Sequence, residues 1–140
     1  MDTVTGKIVK PITSLDPIFP GWLCPAVQGG SFVFVSGVVG VHPDTGEIAI
    51  NDVENQIRHI LASMKRILDA YGATLDNLIK MNVYFIDLHA HLPILYSVCG
   101  KVFRGQLPII TAVGVANLAE GAMVAADAIS TMPHKREHGR

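Results

Sequence analysis

The sequence predicts an α+β domain: a mixed sheet with two helices packed on one face. Three observations lead there. Residues 53–71 and 92–103 repeat apolar side chains at three- and four-residue spacing, the mark of amphipathic helices. The other apolar runs are short, of strand length, and bounded by Gly, Pro and Asn. The order is strands, helix, strand, helix, two strands, and two helices cover only one face of such a sheet. The 140 residues suit one domain spanning 1–140, with an ordered core over about residues 6–131 and a charged tail at 132–140 (MPHKREHGR).

Taken in order, residues 6–10 (GKIVK) form a short first strand. Residues 11–25 hold Pro11, Pro17, Pro20, Gly21 and Pro25, and because proline lacks the donor a ladder needs, the segment is expected to be irregular. Trp22, Leu23 and Cys24 are too apolar for a free linker and are expected to cover an edge or line a cleft. Residues 28–31 (QGGS) read as a turn. Residues 31–41 (SFVFVSGVVGV) follow as a strand with Phe32, Phe34 and Ser36 on one face and Val33, Val35 and Gly37 on the other. Gly37 within a strand predicts a bulge or a close backbone approach. Residues 42–46 (HPDTG) carry the chemistry of a tight turn.

Asn51 is the expected N-cap of the first helix, with Glu54 three residues on as in a capping box. Val53, Ile57, Ile60, Leu61, Met64, Ile67, Leu68 and Tyr71 form its apolar stripe, and Gly72 ends it. Residues 80–87 (KMNVYFID) form the next strand, with Met81, Val83 and Phe85 on one face and Asn82, Tyr84 and Ile86 on the other. Both faces are largely apolar, which predicts a central strand covered on both sides. The second helix is expected over 92–103, with Pro93 in its first turn and Gly105 and Pro108 beyond its end. Residues 107–130 hold two apolar runs, 109–115 and 122–129, with Gly121 before the second. The simplest reading is two adjacent antiparallel strands, with Ile110 and Ala112 sharing one side and Ala125 and Asp127 sharing one.

Composition narrows the function. Apolar residues make up 49% of the chain and charged ones only 16%, below the usual quarter. That predicts buried surface beyond a monomer's core, so the uncovered sheet face is expected to meet another subunit. A net charge of −1 gives no electrostatic footprint for nucleic acid or an anionic membrane. No apolar run reaches the roughly 18 residues of a membrane helix, and the start of the sequence has no signal-peptide pattern. With only Cys24 and Cys99 present, a reducing, cytoplasmic setting is expected. No phosphate loop or nucleophile elbow occurs, and no cofactor is expected.

Few residues offer chemistry. Asp127 is the lone carboxylate of the last strand; it is a candidate general acid, though a hydrogen-bonded structural carboxylate is its more ordinary role. Ser36, with the Gly37 N–H, is placed to donate to a ligand carbonyl, or else to be satisfied by backbone. His89 and His91 have metal-ligand character but no third ligand at matching spacing, and His134 and His138 share that weakness, so solvent-facing side chains and no metal are expected. Cys24 has no evident cationic neighbour to activate it.

Residues 23–129 resemble the RidA/YjgF family of trimeric reactive-intermediate deaminases, formerly called L-PSP endoribonuclease. The resemblance rests on Pro25-Ala26-Val27-Gln28, Phe34-Val35-Ser36-Gly37, Pro43-Asp44-Thr45-Gly46-Glu47-Ile48, Gln56, Gly72-Ala73-Thr74-Leu75-Asp76-Asn77, Val83-Tyr84, Phe103 and Pro108. It implies a chorismate-mutase-like fold with a six-stranded mixed sheet, a homotrimer and ligand clefts between subunits. It also implies a strand arginine that clamps a carboxylate and a last-strand glutamate that positions water. Here Ile110 stands at the arginine position and Ala125 at the glutamate position, while Ala26, Val38 and Tyr96 replace a Tyr or Ser, a Gln and an Asn. Isoleucine offers no bidentate clamp and alanine no acid–base group, which argues against imine deamination by the family mechanism.

Ser36, Gly37, Thr111 and Asp127 remain, with Ile110, Tyr96, Ala26, Val38, Ala125 and Trp22 completing the expected cleft. Three functions are open at this point. One is a divergent enamine- or imine-directed hydrolase in amine or aromatic catabolism. Another is a non-catalytic module that binds a small, weakly polar metabolite. The third, an endoribonuclease or translation inhibitor, has only the old family name behind it.

Overall fold

The structure, a computed structural model, describes residues 5–12, 24–119 and 121–133. Its strands are β1 (Lys7–Ile8), β2 (Ala26–Gly29), β3 (Phe32–Val39), β4 (Leu78–Phe85), β5 (Ile109–Gly114) and β6 (Val124–Thr131). The helices are α1 (Val53–Asp69) and α2 (Leu88–Val102). The six strands form one mixed sheet in the order β1-β2-β3-β6-β4-β5. Both helices lie on one face, the architecture expected from the element order.

That face is the core. Val33, Val35 and Val38 of β3, Met81, Val83 and Phe85 of β4, and Val124, Ala126 and Ala128 of β6 are buried beneath the helices. They meet Ile57, Ile60, Leu61, Met64, Ile67 and Leu68 of α1 and Leu95, Val98 and Cys99 of α2 in one cluster. Gln56 is the one fully buried amide there. Its Nε2 donates to the Ala49 and Gly121 carbonyls at 2.9 and 3.1 Å, and its Oε1 accepts from the Met123 N–H at 2.8 Å. Gln56 thereby ties α1 to two loops. Gly40 packs flat against the Gln56 backbone, where no Cβ would fit.

Several local expectations change. The two apolar runs of residues 107–130 are not neighbours, because β4 lies between β5 and β6. β5 runs parallel to β4, while β6 pairs antiparallel with both β4 and β3. A parallel pair needs a crossover, and α2 supplies it between β4 and β5. The loop after β5 then passes the end of β4, held by Val115 N–H to Phe85 O at 2.8 Å and Ile86 N–H to Met123 O at 3.1 Å. Residues 26–29 are a strand, so the expected four-residue turn shrinks to Gly30 and Ser31. Gly30 supplies the positive φ of 57° that such a tight turn needs. The first strand is shorter than residues 6–10, and Tyr71 braces it by accepting the Lys10 N–H at 3.2 Å.

Helix starts also move. Asp52, not Asn51, caps α1, its Oδ1 accepting the Asn55 N–H at 3.0 Å. Asn51 has φ 57°, a left-handed conformation no N-cap adopts. Glu54 pairs instead with Arg58 one turn on, at 3.3 Å. α2 begins at Leu88, four residues earlier than expected, because Asp87 caps it by accepting the Ala90 N–H at 3.3 Å. Pro93 consequently sits in the second turn, where it has no N–H to offer the His89 carbonyl. β4 is central in the sheet, but within the chain it is covered on one face only.

Candidate functional site

The uncovered face of the sheet can be read from its register. Asn82 of β4 lies opposite Thr111 of β5 on one side and Asp127 of β6 on the other. Beyond Asp127 the pairing of β6 with β3 shifts between Val35 and Val38, so Ser36 and Gly37 together oppose that single residue. This is a β-bulge, as Gly37 predicted. One row therefore carries Thr111, Asn82, Asp127 and the Ser36–Gly37 bulge across four strands. The next row toward one end is Val113, Tyr84, Ala125 and Val39; toward the other it is Ile109, Lys80, Ile129 and Phe34.

Asp127 is the hub. Its Oδ1 accepts from Asn82 Nδ2 at 2.8 Å, and its Oδ2 accepts from the Tyr84 hydroxyl at 2.7 Å. The bond donated to the carboxylate, with lesser help from burial and from the carboxylate's charge, raises the Tyr84 phenol above its usual pKa. The phenol thus stays a donor throughout the physiological range. Asn82 and Tyr84 were placed on this face by the alternation of β4, but nothing local in the sequence pairs them with Asp127. Their contact depends on β4 and β6 being neighbours. Around the row the surface is hydrocarbon: Phe34 is 48% exposed, Val113 40% and Ile109 70%.

The expected cleft residues do not all gather here. Ser36, Gly37, Thr111, Ala125 and Asp127 share the open face. Ile110 pairs with Met81 and so points to the helix side of β5, half-buried. Because β5 is an edge strand, Ile110 and Thr111 lie on opposite faces of a free edge, and only a body wrapped around that edge touches both. Ala26 and Val38 are corrected to core positions, 3% and 1% exposed, because their register partners Val35 and Ala126 face the helices. Tyr96 is 50% exposed on α2, away from the polar row. Trp22 lies outside the described residues, as do Leu23, His134 and His138.

The histidines of α2 and the two cysteines do not join the polar row. His89 and His91 fall in the first turn of α2, His89 exposed but His91 half-buried beside the Phe85 ring, and no group of three potential metal ligands occurs among the described residues. Cys24 is exposed, its thiol donating to the Ala26 carbonyl at 3.0 Å. Cys99 is buried, and burial pushes its thiol up to about 11.

Comparison with known proteins follows the same lines. The family model described as Endoribonuclease L-PSP matches residues 19–132. A RutC family protein of Pyrococcus abyssi is 32% identical over 128 residues, covering 90% of this chain and 92% of its own. A mouse 2-iminobutanoate/2-iminopropanoate deaminase is 28% identical over 130 residues, covering 93% and 94%. The crystal structure of Escherichia coli TdcF with bound serine superposes with a TM-score of 0.79 at 31% identity, covering 89% of this chain and 98% of that one. With the family model spanning both helices and five of the six strands, and a solved relative of the same fold, this chain belongs to the endoribonuclease L-PSP family, the RidA/YjgF proteins.

Proposed function

We propose that this chain forms a trimer whose clefts between subunits bind a small, weakly polar metabolite, and that it does not deaminate imines by the family route. The observation that carries this reading is the pair Ile110 and Ala125. These residues stand where the resemblance implies a carboxylate-clamping arginine and a water-positioning glutamate. Isoleucine and alanine supply neither a cation nor a proton acceptor, so a bound carboxylate would lose its hydration with little in return. Apolar area is what such a cleft offers, at about 25 cal/mol per Å² removed from water. Ser36, Gly37, Thr111, Ala125, Asp127 and the edge residue Ile110 make up the cleft, with Trp22 and Tyr96 as the outer candidates from the sequence. No metal or cofactor has a part in this reading, and the setting is cytoplasmic.

Phe32 and Phe34, 42% and 48% exposed on the uncovered face, support the assembly, since a monomer leaves that area in water. Sedimentation equilibrium at micromolar concentration should give a trimer, and a monomer there would end both the trimer and the cleft. In a coupled assay that generates 2-aminoacrylate and follows pyruvate, this chain should add little to the uncatalysed rate. A rate comparable to that of an arginine-bearing relative would show that the loss of arginine and glutamate has been compensated. By calorimetry, Ile110→Arg should gain affinity for pyruvate over the parent without gaining turnover. A parent that already binds pyruvate as tightly has another cation in the site.

The second reading keeps catalysis. Asp127, held by Asn82 and Tyr84, would serve as the acid–base group of a divergent enamine- or imine-directed hydrolase. Turnover of a neutral imine that disappears in Asp127→Asn would favour it. Ribonuclease action draws no support from a chain of net charge −1, since phosphate backbones are bound mainly through Lys and Arg.

A further inference from the structure

We propose that Asp127 is the recognition group for a protonated amine, so that the ligand presents an ammonium to this chain where the family's implied arginine would seek a carboxylate. The inference rests on the cleft reading above and sharpens its ligand class, a body that is weakly polar apart from one ammonium. The carboxylate is held in place before any ligand arrives, by Asn82 at 2.8 Å and Tyr84 at 2.7 Å. Both donors are neutral, so the charge is oriented but not cancelled. A carboxylate offers about four acceptor directions, and these two bonds use half of them.

Among the described residues no cation forms an ion pair with it. The ion pairs Arg58–Glu54 and Arg66–Asp44 involve no residue of β6. Lys80 shares the open face but sits one row along, opposite Ile129, and forms no ion pair with Asp127. Room exists beside the carboxylate as well. Asp127 faces the bulge, where a Cβ on Gly37 would meet nothing within 4 Å, and two residues along β6 the side chain of Ala125 is a single methyl.

Covering this face with a second subunit would strip water from an uncancelled charge, which is costly unless a cationic donor reaches it. A ligand ammonium supplies that donor. Its N–H bonds to the free acceptor directions are charge-assisted, roughly twice as strong as neutral ones. Its hydrocarbon body lies over Ala125 and the bulge, next to Ile129 and Phe34.

The test uses the full chain and two probes of nearly equal shape, benzylamine and benzyl alcohol, titrated calorimetrically at pH 7. The parent should bind benzylamine about tenfold more tightly, and Asp127→Asn should bring the ratio of the two affinities to about one. Equal binding of both probes by the parent overturns the amine inference while leaving the apolar cleft standing. Binding of neither removes the cleft reading, and the inference with it. Sedimentation of Asp127→Asn is the structural check. An assembly that falls apart on this near-isosteric change would mean that a neighbouring subunit, not a ligand, satisfies the carboxylate, and this too overturns the inference.

Discussion

The two faces of β4 are built from alternate residues of the same eight, yet they are different materials. Met81, Val83 and Phe85 are 1%, 1% and 0% exposed beneath the helices, while Lys80, Asn82 and Tyr84 on the other face are only half-buried. The covered face is hydrocarbon against hydrocarbon, so its free energy lies in shape and area. On the open face a hydrogen-bonded carboxylate sits in an apolar surround, and its energetics depend on what comes to cover it. Stability and, on the reading proposed above, recognition are separated across the thickness of one sheet, and neighbouring residues of β4 should respond to mutation in different ways.

The largest contrast is expected from Phe85→Ala. Emptying a fully buried ring position should cost about 3–5 kcal/mol in denaturant-derived stability. A cost below about 1 kcal/mol would mean that the covered face is loosely packed. Gln56→Leu should follow at about 3 kcal/mol. It fills similar volume but removes the fully buried amide that serves the part-buried Ala49 and Gly121 carbonyls and the Met123 N–H.

The pH dependence of Cys99 comes next. Its folded-state value of about 11 lies above the ordinary 9.0, so the folded chain keeps the proton longer than the unfolded one. Its contribution to stability is therefore full below pH 9 and falls as pH rises from 9 toward 11. Thiol labelling at pH 8 should modify Cys24 quickly and reach Cys99 only on unfolding. Rapid labelling of both would place an opening between α2 and the sheet.

Tyr84→Phe should have the smallest effect on stability, about 1 kcal/mol or less, because it removes one bond on a half-buried face. It should weaken benzylamine binding more than benzyl alcohol binding, since Asp127 loses one of its two holding bonds. A Tyr84→Phe protein as destabilised as Phe85→Ala would erase the distinction between the faces.

Much of this was legible in the chain. The stripe from Val53 to Tyr71 could only be a helix packed on one side, and the alternation of β4 separated Met81, Val83 and Phe85 from Asn82 and Tyr84 correctly. Gly37 marked the bulge. These are local signals, set by 3.6- and 2-residue periods, and a sequence carries them directly. Ends were less legible: Asp52 and Asp87 took the caps because backbone conformation at Asn51 and the reach of one carboxylate decide a helix start, and several residues near each start offered similar chemistry.

Which strands are neighbours was decided only in three dimensions. Residues 109–114 and 124–131 are close in sequence, and a hairpin was the shortest connection; β4 came between them because α2 could cover the sheet only by carrying the chain across in parallel. The candidate site follows from that insertion. With β4 beside β6, Asn82 and Tyr84 reach Asp127 across more than forty residues of chain, a contact no local pattern encodes. The sequence by itself determined the helices, the faces of the strands and the family resemblance, together with the apolar identity of Ile110 and Ala125. Only the tertiary structure decided that Ala26 and Val38 belong to the core and that Asp127 is held by two neutral donors. Strand order is set by the packing of the whole layer, and hydrogen bonds across a sheet exist only once that order is fixed.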